Sequence, residues 1–168
     1  NIAFLFIMAY SFLSWGYDPA DVTSMLNEKP KKLEGVGVEE KLGAQIELGL
    51  QFQDDHSQTV TLGKYFDNHR PVILSMVYYN CPGLCNLHLN GLTAALKKLK
   101  WTTGKDFQLV AVSMDHNEDS KLAEAKKASY LDEYGRENAS EGWHFLTGDK
   151  ETIDRLADQI GFHFRWLE

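Results

Sequence analysis

Cys81 and Cys85 are the only cysteines in a chain of 168 residues, and three residues stand between them. Two sulfurs this close in sequence can join in a reversible disulfide, or as thiolates can clamp one soft metal ion. Two plainer uses compete. A structural disulfide would close a very short loop and remove little entropy from the unfolded chain. Two unrelated buried thiols would act only as small hydrophobes. The position of the pair favours chemistry, because open α/β sheets hold their ligands beyond the C-terminal ends of the strands.

The flanking residues give that position. Residues 72–79, VILSMVYY, form a continuous apolar, β-branched and aromatic run, which suits a buried parallel strand. Pro71 opens it. Pro82 pushes Cys81 away from helical angles and is itself at home in a first helical turn. The pattern therefore predicts a helix from about Pro82, with Cys81 near its N-cap and Cys85 roughly one turn along. A helix N-terminus offers free N–H groups and partial positive charge, so Cys81 is expected to be the more acidic thiol. Leu84, Leu87, His88, Leu92, Ala95, Leu96 and Leu99 recur at helical spacing and are expected to face the core. Lys97, Lys98 and Lys100 suit the negative end of the helix dipole.

Size and composition bound the rest. The length predicts one domain with a substantial core. A net charge of −7 argues against a nucleic-acid partner. Two cysteines are too few for a disulfide scaffold. Residues 2–13, IAFLFIMAYSFL, carry no charge. The run is shorter than the roughly 20 residues of a membrane span, so residues 1–15 read as the remnant of a signal or membrane anchor. The plainer alternative is a buried terminal element. Export would put the thiols in an oxidising compartment, where they need a reductant or a metal to remain functional.

Residues 16–45 have no periodicity and read as an extended arm or linker before a domain at 46–168. Residues 46–52 and 60–62 alternate as half-buried strands around the turn at Asp54–Ser57, with Tyr65 and Phe66 covering the core. FQLVAVSM at 107–114 predicts a second buried strand, ending at the acidic run from Asp115 to Asp119. A charged helix follows over 119–134, with Leu122, Ala125, Ala128 and Leu131 inward. A short strand is expected over 142–148. Thr147 or Asp149 caps a last helix, with Ile153, Leu156, Ala157 and Ile160 as its apolar stripe and Gly161 as its stop. FHFRW at 162–166 alternates as a short strand would. Strands alternating with helices predict a parallel, three-layer α/β fold.

With its cysteine turn after the first core strand, the chain resembles thioredoxin-like proteins. VILSMVYYNCPGLCNLHLNGL, LVAVSMD, GWHFLTG and IGFHFRW, in this order, resemble the Sco/SenC family over about residues 45–168. That resemblance implies a copper-binding protein of the bacterial periplasm or cell envelope, or of the mitochondrial inner membrane. Such a protein is tethered to the membrane, here through the N-terminal segment. It helps assemble the binuclear copper centre of cytochrome c oxidase, by copper delivery, thiol reduction, or both. The partners implied are the copper-bearing oxidase subunit, other copper chaperones and thioredoxin-like reductants.

Cys81 and Cys85 match the family's copper-binding cysteines. Asp115 matches its acidic residue after the second core strand, with His116 in place of the usual proline. The family's third ligand, a histidine, would fall beyond Glu168, as would the last hairpin and helix of the fold. His163 does not match the ligand position. Without that hairpin, the strand at 72–79 is expected to be an open edge. Two thiolates alone suit Cu(I), whereas Cu(II) favours added imidazole. His88, one turn past Cys85, reads as a half-buried core residue rather than a ligand. His56, His69, His116 and His144 lack ligand spacing. A metal-free thiol–disulfide oxidoreductase is the competing function. A peroxidase is less well served, because the nearest arginine before the turn is Arg70.

Overall fold

The computed structural model describes residues 33–66 and 69–166. Segment 1–15 and the part of the expected arm at 16–32 lie outside the described residues. The elements are β1 (Gly37–Val38), β2 (Gln51–Gln53), β3 (Thr59–Thr61), β4 (Val72–Val77), α1 (Leu84–Lys98), β5 (Gln108–Ser113), α2 (Ser120–Tyr134), β6 (Trp143–Leu146), α3 (Lys150–Gln159) and β7 (Phe162–His163).

β4, β5 and β6 form a parallel sheet in that order. Parallel neighbours need crossovers, and α1 and α2 supply them. Side chains alternate across a strand, so each strand feeds two cores. On one face Val77, Leu109, Ala111, Trp143 and Phe145 pack with Leu89 and Leu96 of α1 and Tyr130 and Tyr134 of α2. On the other, Met76, Val110, Val112 and Leu146 meet the β2–β3 hairpin and Ile153, Leu156 and Ala157 of α3. The result is the three-layer, thioredoxin-like α/β arrangement expected from the sequence.

β5 is the central strand, buried at every residue. β4 pairs on one side only among the described residues. Ile73, Leu74 and Met76 line a groove of about 430 Å³ along its open side, with Val38, Leu92 and Phe162. The hairpin forms its own antiparallel sheet and is joined to the end of β6 through Gln53 and Thr147. Residues 36–45, expected within the arm, run along this domain instead. Gly37 and Val38 pair with His163 and Phe162, and Glu39 N–H donates to Gly161 C=O at 2.7 Å. Gly161 has φ +71°, and a Cβ there would lie 2.0 Å from Glu39 O. Only glycine permits that approach.

Two helical faces differ from expectation. In α1 the buried residues are Leu89, Thr93 and Leu96, whereas Leu84 is 79% and Leu87 69% exposed. The sheet ends near the cysteine turn, so the first turns of α1 project past the surface that would cover them. In α2 the buried positions are Ser120, Ala123, Tyr130 and Tyr134; Ala125 and Ala128 are exposed. The two large tyrosine rings choose the inward face over the smaller alanines. The capping of α3 is as expected: Asp149 accepts from Thr152 N–H at 2.8 Å.

Candidate metal and thiol site

The turn that carries the thiols begins before the helix does. Cys81 N–H donates to Tyr78 C=O at 3.2 Å, reversing the chain directly after β4. Pro82 and Gly83 complete the reversal, and α1 starts at Leu84 with Gly83 as its N-cap. Cys85 therefore stands in the first turn of α1, not a turn further on. Gly83 has no side chain with which to cap the free N–H groups.

Cys81 fills that place. Its Sγ accepts from Gly83 N–H at 3.4 Å and lies close to Cys85 N–H. These contacts favour the thiolate, and the Cys81 thiol is held below its ordinary pKa, first by Cys85 N–H and then by Gly83 N–H. Cys85 faces inward against the first core, and burial pushes its thiol up. The two side chains are within hydrogen-bonding reach of each other, and neither is in a disulfide. Both remain partly exposed.

The backbone of the turn is tied down by groups the sequence did not single out. Asn86 Nδ2 donates to Cys81 C=O at 2.6 Å, and Lys126 Nζ of α2 donates to Asn86 Oδ1 at 3.1 Å. The Glu118 carboxylate accepts from Tyr79 N–H at 2.9 Å and from Asn80 N–H at 2.6 Å. It also accepts from Ser113 Oγ–H at 2.6 Å. The Tyr79 ring is wholly buried, and its hydroxyl lies 2.9 Å from Ala111 C=O and 2.8 Å from Leu146 C=O, which share its one proton.

The strand register brings Glu118 to the turn. Val77 pairs with Ser113, so whatever follows β5 lies beside whatever follows β4. Asp115, by contrast, turns to its own loop and accepts from Asn117 N–H and Asn117 Nδ2, both at 2.9 Å.

The histidines stand apart from the thiols or serve other contacts. His88 is exposed rather than half-buried, with its ring Nε2 2.8 Å from Ser75 Oγ. His163 pairs with Glu39 at 3.4 Å. Among the described residues no group of three or more His, Cys, Asp or Glu side chains is gathered as a metal-binding cluster. The donor set at the turn is thus two sulfurs, one thiolate-prone and one at the edge of the core. Its chemistry fits a soft ion of low coordination number.

A parallel α/β sheet with a partly exposed cysteine pair at a strand-to-helix turn is the arrangement of a thioredoxin-like fold. The SCO1/SenC family matches residues 39–167, and the chain belongs to that family. No curated protein matches it. It is similar to the crystal structure of a candidate electron transport protein from Aquifex aeolicus VF5, with 25% identity, a TM-score of 0.61 and 75% of each chain covered. It shares its fold with Arabidopsis thaliana ScoI, solved with copper bound, at 24% identity and a TM-score of 0.51, over 68% of this chain and 66% of that one. The fold also matches BsSco, a member of the Sco family of cytochrome c oxidase assembly proteins in which a disulfide switch was identified. That match has 20% identity and a TM-score of 0.50, over 73% of this chain and 67% of that one.

Among the described residues no helix is long and apolar enough to cross a membrane.

Proposed function

We propose that Cys81 and Cys85 together bind one Cu(I) ion as cargo and pass it to the copper-bearing subunit of cytochrome c oxidase during assembly. The observation that carries this is the pairing itself: two partly exposed sulfurs in mutual reach, with Cys81 stabilised as thiolate by two backbone N–H groups. A thiolate pair is a soft donor set, and Cu(I) accepts two such ligands. Cu(II) would call for imidazole as well. The copper in Arabidopsis thaliana ScoI and the assembly role of the family of BsSco support the same cargo and the same destination. An envelope location, with residues 1–15 as tether, is supported by the uncharged N-terminal run.

Reduced protein is expected to bind one Cu(I) in competition with a Cu(I) chelator, and Cys81→Ser or Cys85→Ser to abolish that binding. Wild-type affinity in either variant would rule out the two-sulfur site.

A thiol–disulfide exchange role is favoured by a separate observation, the opposite shifts of the two thiols. A lowered Cys81 is suited to attack a partner disulfide, and a raised, inward Cys85 to resolve the mixed disulfide afterwards. Metal-free protein that reduces a model disulfide at a rate set by Cys81 would support this second activity.

A further inference from the structure

We propose that Glu118 is a positioning residue for the thiol pair: its carboxylate clamps the backbone from which Cys81 departs and holds the pair in its dithiol form. The role rests on the proposed use of Cys81 and Cys85 as working thiols.

One carboxylate takes two consecutive backbone donors, Tyr79 N–H and Asn80 N–H, at 2.9 and 2.6 Å. Ser113 Oγ–H, at 2.6 Å, fixes the oxygen that faces Tyr79. Ser113 in turn accepts from Asp115 N–H at 3.0 Å, so the loop after β5 is braced before it reaches across. Hydrogen bonds to a charged acceptor are short and strong. On the far side, the buried Tyr79 hydroxyl anchors the same residue to β5 and β6. Tyr79 is therefore fixed at both its backbone and its ring, and Cys81 follows two residues later. Cys81 then meets Gly83 N–H and Cys85 N–H, contacts that a disulfide sulfur would hold less strongly than a thiolate.

Reduction of a Cys81–Cys85 disulfide by glutathione breaks the protein S–S bond. It yields two cysteine thiols and one glutathione disulfide, with two electrons and two protons taken from two glutathione molecules. Closing the disulfide again must draw the two sulfurs from contact to bonding distance, and on this proposal a turn clamped at Tyr79 and Asn80 resists that shift.

Glu118→Gln keeps the shape of the side chain but offers one acceptor oxygen where two N–H groups need one each. Its disulfide is expected to be about fivefold harder to reduce in the glutathione equilibrium, the weight of roughly one net hydrogen bond. A carboxylate acting only through its charge predicts the reverse, since removing a negative charge stabilises thiolates. Amide hydrogen exchange over residues 78–81 is expected to quicken in the same variant. Glu124→Gln, at an exposed position of α2, removes the same charge outside the clamp and is expected to change neither quantity.

An unchanged or opposite shift of the equilibrium in Glu118→Gln overturns the proposal. A wild-type pair inert to glutathione would instead sink the working-thiol role, and unaltered amide exchange in Glu118→Gln would then overturn the clamp on its own.

Discussion

The cysteine turn and the aromatic core beneath α2 are built on the same sheet by different means. In the core, Trp143 is fully buried and lies 6.3 Å from Phe145, ring over ring, while Tyr130 stacks on both. Trp143 Nε1–H also finds Thr103 Oγ1 at 2.8 Å. Stability there comes from large apolar area removed from water. Apart from the Tyr79 ring, the turn has little of this. Leu84 and Leu87 stand in solvent, and the backbone is fixed by Glu118, Asn86 and Tyr78. Packing would hold the turn as firmly but would seal the sulfurs. Hydrogen bonds from below fix its shape and leave the thiols open to an ion or a partner.

Substitutions can break that contrast. Trp143→Ala is expected to lose about 3–5 kcal/mol of stability in urea unfolding, because it empties a fully enclosed site. Cys81→Ser, which abolishes copper binding on the reading above, is expected to stay within about 0.5 kcal/mol of wild type. Equal losses in the two variants would show that the turn is a part of the core.

His144 sharpens the contrast from the opposite end of the sheet. Its ring lies 4.2 Å from that of Tyr65, tilted by 33°, and its Nε2 accepts from the Gln108 amide at 2.9 Å, while the Gln108 carbonyl accepts from Arg70. Burial, with Lys127 next in weight, pushes its pKa down from 6.5 to about 4. Between these values the unfolded chain binds the extra proton and the folded chain does not. Stability is therefore full above about pH 6.5 and falls as the pH is lowered towards 4, by up to about 3 kcal/mol. Denaturant melts of His144→Gln from pH 7 to pH 4 are expected to lack this part of the decline. An unchanged slope would mean that other groups carry it.

The smallest effect is expected at Leu87. Leu87→Ser should change stability by no more than about 0.5 kcal/mol, since the side chain is already exposed. A loss several times larger in urea melts would mean that Leu87 is covered in solution.

Local patterns were legible where one residue type has one physical use. The unbroken apolar run of β5, the Asp149 cap, the Gly161 stop and the hairpin were all readable, because each reflects a short-range rule. The inward faces of the helices were less so. Leu84 and Leu87 fit the helical stripe, yet periodicity does not say where the sheet beneath a helix ends. Tyr130 and Tyr134 were missed in α2 because the alanines and leucines beside them match the same spacing. Pro82 suggested the helix start, but the reversal after β4 uses Pro82 and Gly83 first.

By itself the sequence determined which atoms could do chemistry: two thiols, four positions apart, between a strand and a helix. It also pointed to Cys81 as the more acidic thiol, because a helix N-terminus offers free N–H groups, while the burial that raises Cys85 came from the packing of α1. Only the tertiary structure decided what holds them. Glu118 reaches Tyr79 and Asn80 because β4 and β5 pair in parallel with Val77 beside Ser113, and that register is a property of strands far apart in the chain.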